Sequence, residues 1–165
     1  MRPDQFERGG GGEIAEARVE AKSHFEIVTH SPEETLEFGR KLAHDLDPPC
    51  LVLLEGDLGS GKTTLTKGII SGLGLARPDE VTSPSFTLVH EYGREKKAYH
   101  VDLYRIEGPQ ELSTLGLDEL FGQSAVVIIE WGEKLGDLLR GPYIRIKMEY
   151  IASEDRKITI EHVES

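Results

Sequence analysis

The chain has 165 residues, of which 38% are hydrophobic and 30% charged, and its formal net charge is −11. That length fits one domain, and the composition is that of a soluble globular protein. The acidic balance, with no cluster of Lys and Arg, argues against direct unaided binding to nucleic acid, which needs concentrated positive charge to displace counterions.

The apolar runs are far shorter than the roughly 20 residues a membrane span requires. "MRPDQFERGGGGEIAEARVE" (1–20) lacks the apolar core of a secretory leader. The single Cys50 excludes an internal disulfide framework and a thiolate metal site. These features together predict a cytoplasmic protein with no membrane association. Residues 1–22 are expected to be a flexible N-terminal extension, with "GGGG" at 9–12, and 23–165 a single domain.

In chain order, "HFEIVT" (24–29) reads as a strand. "SPEE" (31–34) reads as a helix start, with Ser31 as N-cap, Pro32 at the first helical position and Glu34 completing a capping box. Leu36, Leu42, Ala43 and Leu46 make the expected apolar stripe of that helix. "CLVLLE" (50–55) is continuously apolar, as a central strand covered on both faces would be. A helix is expected from about Lys62 to Leu73, with Leu65, Ile69 and Leu73 inward and Gly74 as its stop. "SFTLVHEY" (85–92) and "AYHVDLY" (98–104) predict an antiparallel hairpin through "GREKK". Residues 108–122 predict two short helical pieces, "AVVIIE" (125–130) a second buried strand, and "EKLGDLL" (133–139) a short helix. "YIRIKMEY" (143–150) and "KITIEHV" (157–163) alternate as a hairpin joined by "ASEDR". The sum is a P-loop NTPase-like α/β three-layer sandwich with a mixed parallel and antiparallel central sheet.

"GDLGSGKTT" (56–64) meets the pattern G-x-x-x-x-G-K-[ST], between an apolar strand and a helix. Glycines let successive backbone N–H groups turn inward as an anion nest, and the helix N-terminus adds partial positive charge. Gly56, Asp57, Leu58, Gly59, Ser60, Gly61, Lys62, Thr63 and Thr64 are the expected nucleotide-binding run. Lys62 is placed for the β- and γ-phosphates and the Thr63 hydroxyl for Mg²⁺. No Lys follows an Asn, so the N-K-x-D reader of guanine is absent, and no Arg-rich lid of the small-molecule kinases is seen. Both point to ATP or ADP and a small ATPase.

Mg²⁺ takes hard oxygen ligands. Glu130 ends one buried strand and is the expected metal-side carboxylate, directly or through water. Asp102, in "HVDLYR", is the candidate for orienting or deprotonating the attacking water. His100 is expected to orient its neighbours. "SPSFTL" (83–88) carries hydroxyls at Ser83, Ser85 and Thr87 that can sense a γ-phosphate as a switch loop does. Ser85 and Thr87 therefore join Lys62 and Asp102 as candidate catalytic residues. Trp131 and Glu133 complete the expected nucleotide-binding set, Trp131 by stacking on a base or packing a partner.

"GDLGSGKTT", "SPSFTLVHEY", "HVDLYR" and "VVIIEWGEKL", in that order and spacing, resemble the TsaE (YjeE) family over roughly Ser31 to Tyr150. The resemblance implies Mg²⁺-dependent ATP hydrolysis, weak in isolation, in the biosynthesis of threonylcarbamoyladenosine on tRNA. It also implies association with TsaB and TsaD, with tRNA reached only through that complex. It assigns Lys62 and Thr63 to phosphate and metal, Glu130 to the metal side, Asp102 to catalysis, and Ser31 to nucleotide contact. Ser85 replaces the Thr common in the family and Gly132 the Pro that often follows the Trp. Two other readings of the loop stay open on the residues alone: a small-molecule kinase, or a nucleotide-dependent binding module with negligible turnover.

Overall fold

The computed structural model describes residues 24–84, 87–139 and 141–164. The expectation for residues 1–22 lies outside them. Strands β1 (His24–Thr29), β2 (Cys50–Glu55), β3 (Val89–Gly93), β4 (Lys97–Asp102), β5 (Val126–Glu130), β6 (Tyr143–Ala152) and β7 (Asp155–Val163) form one sheet in the order β1-β7-β6-β2-β5-β4-β3. β2 runs parallel to both β5 and β6, and β4 runs parallel to β5. The β1–β7, β6–β7 and β3–β4 pairs are antiparallel. The expected mixed sheet and both expected hairpins are therefore present.

Helices α1 (Pro32–Leu42) and α2 (Lys62–Gly72) cover one face. Beneath them lie Val52 and Leu54 of β2, Val126 and Ile128 of β5, Ile144, Ile146 and Met148 of β6, and Ile158 and Ile160 of β7. Helices α3 (Pro109–Ser113) and α4 (Leu117–Phe121), with a 3₁₀ segment at Gly132–Leu138, cover the other face. There Leu53, Tyr99, Val101, Val127 and Ile129 meet Leu112, Leu117 and Leu135. β2 and β5 are apolar up to their terminal Glu55 and Glu130 because alternate residues feed different cores. β6 alternates instead. On the second face it carries Arg145, half-buried, and Lys147, exposed.

Several local expectations are corrected. Ser31 caps α1 by accepting from Glu34 N at 3.1 Å, but Glu34 Oε1 accepts from His30 N at 2.8 Å, one residue before the cap. The stripe of α1 centres on Phe38 and Gly39 rather than Leu36, which is half-buried. The reason is backbone-to-backbone contact with α2: a Cβ on Gly68 would lie 3.0 Å from Gly39 Cα and against the Leu36 carbonyl. The strand expected from residue 85 begins only at Val89, because Leu88 has φ 68°, which ends an extended run. The β6–β7 ladder extends to Ala152 and Asp155, so the turn is Ser153–Glu154 alone. The 133–139 segment is 3₁₀ and kinked at Gly136, φ 52°. Cys50 is half-buried, and burial, with Asp47 nearby, pushes its thiol up to about 11, the state of an inert thiol.

Candidate functional site

The parallel strands β2, β5 and β4 all end at the same edge of the sheet, and the loop Gly56–Gly61 leaves β2 there and enters α2. Gly61, φ 106°, stands at the N-cap of α2, and Gly56, φ 153°, turns the chain out of the strand. A side chain on Gly56 would strike the Met148 carbonyl and Ser60 Oγ, both 2.6 Å from its Cβ. Ser60 N donates to Asp57 O at 3.1 Å and closes the turn. The first N–H groups of α2 have no acceptor inside the helix and open toward the loop.

Lys62 lies folded over this turn. Its Nζ donates to Gly56 O at 2.6 Å and Asp57 O at 3.0 Å, and stands 4.5 Å from the centre of the Trp131 ring. Burial pushes the ammonium below the ordinary lysine range, against the opposing pull of Glu130, Glu133, Asp102 and Asp57. A phosphate arriving here would exchange neutral carbonyl partners for charged oxygens, a stronger class of hydrogen bond.

The acidic side is built by the ends of β4 and β5. Glu130, 4% exposed, accepts from His100 Nε2 at 2.6 Å and, more loosely, from Thr63 Oγ1 at 3.4 Å. His100 is fully buried, and among the described residues its Nδ1 has no hydrogen-bond partner. Its contact through Nε2 holds the carboxylate from behind. Asp102 is held at both oxygens: Oδ2 accepts from Ser83 Oγ at 3.1 Å and Oδ1 from Tyr104 N at 2.9 Å.

These groups line one open cavity of about 490 Å³. Leu58, Gly59, Gly61, Lys62, Thr63, Thr64, Asp102, Glu130 and Trp131 are brought together on its wall, with Ser83. Gly56, Asp57 and Ser60 shape the turn behind it. Ser31 itself is occupied by its cap, although Pro32 and Thr35 of the same helix start reach the wall. Glu133 is exposed, and meets Lys62 only through its charge. Thr87 is exposed, stands off the wall, and its hydroxyl donates to Val89 O at 3.4 Å. Ser85 lies outside the described residues.

Sequence reasoning missed the far wall. Glu154, in the β6–β7 turn, and Arg156, at the start of β7, complete the cavity, and an Arg156 terminal nitrogen donates to Gly59 O at 3.2 Å. Those residues are 97 positions apart, and no local pattern signals the contact. Tyr104 and Arg105 also line the cavity. They stand inside the "HVDLYR" segment, where the focus on Asp102 passed over them.

A glycine-rich turn between a buried parallel strand and a helix, with carboxylates at the ends of the next two strands, defines a P-loop NTPase-like α/β protein. The family model described as "Threonylcarbamoyl adenosine biosynthesis protein TsaE" matches residues 29–158. Among curated relatives, a "tRNA threonylcarbamoyladenosine biosynthesis protein TsaE" of Haemophilus influenzae is 39% identical, over 75% of this chain and 82% of its own. The protein of the same name from Bacillus subtilis is also 39% identical, over 82% of this chain and 84% of its own. The crystal structure of YdiB from Bacillus subtilis superposes with a TM-score of 0.69 at 32% identity, covering 86% of each chain. The chain belongs to the TsaE family.

Proposed function

We propose that this protein is a Mg²⁺-dependent ATPase acting as an accessory, regulatory subunit in the biosynthesis of threonylcarbamoyladenosine on tRNA. In this reading it works in the cytoplasm with TsaB and TsaD, and meets tRNA only through them. Support for the pathway comes from the names carried by its relatives and its family. Support for the chemistry comes chiefly from one observation: the buried Glu130, oriented by His100, meets the hydroxyl of Thr63 beside the phosphate-loop lysine.

The donor set suits Mg²⁺. Hydroxyl and carboxylate oxygens are hard ligands, and this ion keeps several waters and takes phosphate oxygens as partners, so it does not need a cage of side chains. Among the described residues no three His, Cys, Asp or Glu side chains converge as such a cage. Thr63 and Glu130 are the residues that would hold the ion, His100 fixing the carboxylate from behind. When bound, it supplies positive charge to the β- and γ-phosphates.

Lys62 and the first N–H groups of α2 grip the phosphates. Asp102, pinned by Ser83 and Tyr104 N, orients the attacking water or takes its proton. The described residues include no helix long and apolar enough to cross a membrane. The test is phosphate release from ATP by the purified protein, with and without purified TsaB and TsaD. Release that rises when the pair is added supports the reading. Release that neither occurs alone nor responds to the pair, or a phosphorylated small molecule in place of free phosphate, overturns it.

A further inference from the structure

We propose that Lys134 is a positioning residue for nucleotide turnover, which rests on the ATPase reading above. It clamps the loop after β4 to the segment after β5. Lys134 Nζ donates to Tyr104 O at 2.6 Å and to Ile106 O at 2.9 Å, and lies 5.7 Å from the Tyr104 ring centre. The two carbonyls flank Arg105, which lines the cavity.

The clamp reaches the reacting end through two short routes. Tyr104 N is the donor that fixes Asp102 Oδ1 at 2.9 Å, so the position of the Tyr104 peptide sets the carboxylate. The Tyr104 ring packs on the Trp131 ring at 5.1 Å, and Trp131 in turn faces Lys62 Nζ at 4.5 Å. The order Lys134, Tyr104, Trp131, Lys62 thus joins the loop after β4 and the segment after β5 to the phosphate-loop lysine, as two stacked rings with a cation at each end.

The segment after β5 is tied by backbone bonds, Trp131 N to Leu54 O and Lys134 N to Trp131 O, both at 3.1 Å, and it carries two residues of positive φ. Trp131 has φ 63° and ψ 39°, a left-handed conformation uncommon for a bulky residue, and Gly136 has φ 52°. Leu135 anchors the same segment in the core, 2% exposed, which directs its neighbour Lys134 across to the other loop. An ammonium with three donors satisfies two carbonyls of one turn at once, which no apolar side chain of equal length can do.

The test uses the full chain with Lys134→Met, Lys134→Gln and Lys134→Arg. Trp131 is the sole tryptophan, so its fluorescence reads the clamp without nucleotide. Lys134→Met is expected to raise acrylamide quenching of Trp131 and to lower kcat for ATP roughly tenfold, with KM changed less than about twofold. Lys134→Arg, which keeps the double donor, is expected to stay near the parent in both. Should Met cost the fold, Lys134→Gln, with a shorter neutral donor, is expected between the two. Unchanged quenching together with unchanged kcat in Met or Gln overturns the proposal. So does a loss of kcat that tracks a loss of folded protein, without the split from KM. If the parent itself neither binds nor hydrolyses ATP, the ATPase reading fails, and the Trp131 signal alone decides whether the clamp exists.

Discussion

The two faces of the sheet are built by different means. On the first, two helices of 11 residues each meet backbone to backbone through Gly39, Gly68 and Gly72. On the second, two helices of five residues and a kinked 3₁₀ segment are tied down by single side chains. Lys134 holds the Tyr104 loop, and Tyr99 Oη donates to Gln123 Oε1 at 2.7 Å. The loop that would grip phosphate belongs to the close-packed face, through α2. The carboxylates stand at the ends of β4 and β5 on the α2 side of the sheet, and Asp102 is bonded from there to the Tyr104 loop that the tethers hold. A change in the first helix pair should therefore cost stability, and a change among the tethers should cost turnover.

Lys62 tests the phosphate-gripping side most sharply. Lys62→Ala removes a charge-assisted partner of the phosphates, and ATP affinity should fall by about 3 kcal/mol or more, over a hundredfold. Stability should move by no more than about 1 kcal/mol, since relief from burying the ammonium offsets the lost carbonyl bonds. Calorimetric titration beside chemical denaturation would separate the two effects. Parent-like ATP affinity would remove the phosphate-loop assignment.

Gly68→Ala should destabilise the fold by about 3 kcal/mol, because its Cβ meets rigid backbone rather than a movable side-chain end. Gly122→Ala, on the second face, has its nearest atoms at 3.6 and 3.7 Å and should stay within about 0.5 kcal/mol. Equal denaturation midpoints for the two variants would erase the contrast between the faces.

Glu130 stands where both kinds of effect meet. Glu130→Ala leaves a fully buried His100 with neither ring nitrogen partnered among the described residues, an expected cost of about 1–3 kcal/mol, besides an expected loss of Mg²⁺-dependent turnover. Glu130→Gln keeps an acceptor for His100 but not the negative charge. It should recover most of the stability and little of the activity. Thermal melts and phosphate release on both variants check this, and a Gln variant with full turnover would make the carboxylate merely structural.

What the sequence made legible follows the same division. The phosphate loop, the two buried parallel strands and the cap of α1 are local patterns, and each was readable from adjacent residues. The contact of Arg156 with Gly59 depends on β6 pairing beside β2, which no window of residues contains. The glycine contact of α1 with α2 was hidden for another reason. Apolar periodicity weighs Leu36 above Gly39, yet the closest approach belongs to the residue with no side chain. The late start of β3 turned on the backbone of Leu88, whose positive φ is not encoded by any turn residue there. The tether by Lys134 was unreadable because a lysine on a short polar segment looks like any solvated charge until its two carbonyls are in place.

The smallest effect concerns Ser31, of which a helix cap and a nucleotide contact would make different demands. Its Oγ accepts from Glu34 N at 3.1 Å, and its carbonyl accepts from Thr35 N at 3.1 Å, so it starts α1 on both counts. Ser31→Ala should therefore cost about 1 kcal/mol of stability, the usual loss on removing a capping hydroxyl. Ser31→Asp, which can still cap, should restore it. If capping is all that Ser31 does, ATP affinity changes less than about twofold in both variants, since Pro32 and Thr35 keep the wall of the cavity in place. If Ser31 also meets the nucleotide, affinity falls in the Ala variant, and falls further in the Asp variant, whose carboxylate would face phosphate. Melting curves and ATP titrations on the same two proteins decide between them, because the cap ranks Asp above Ala and a phosphate contact ranks them the other way.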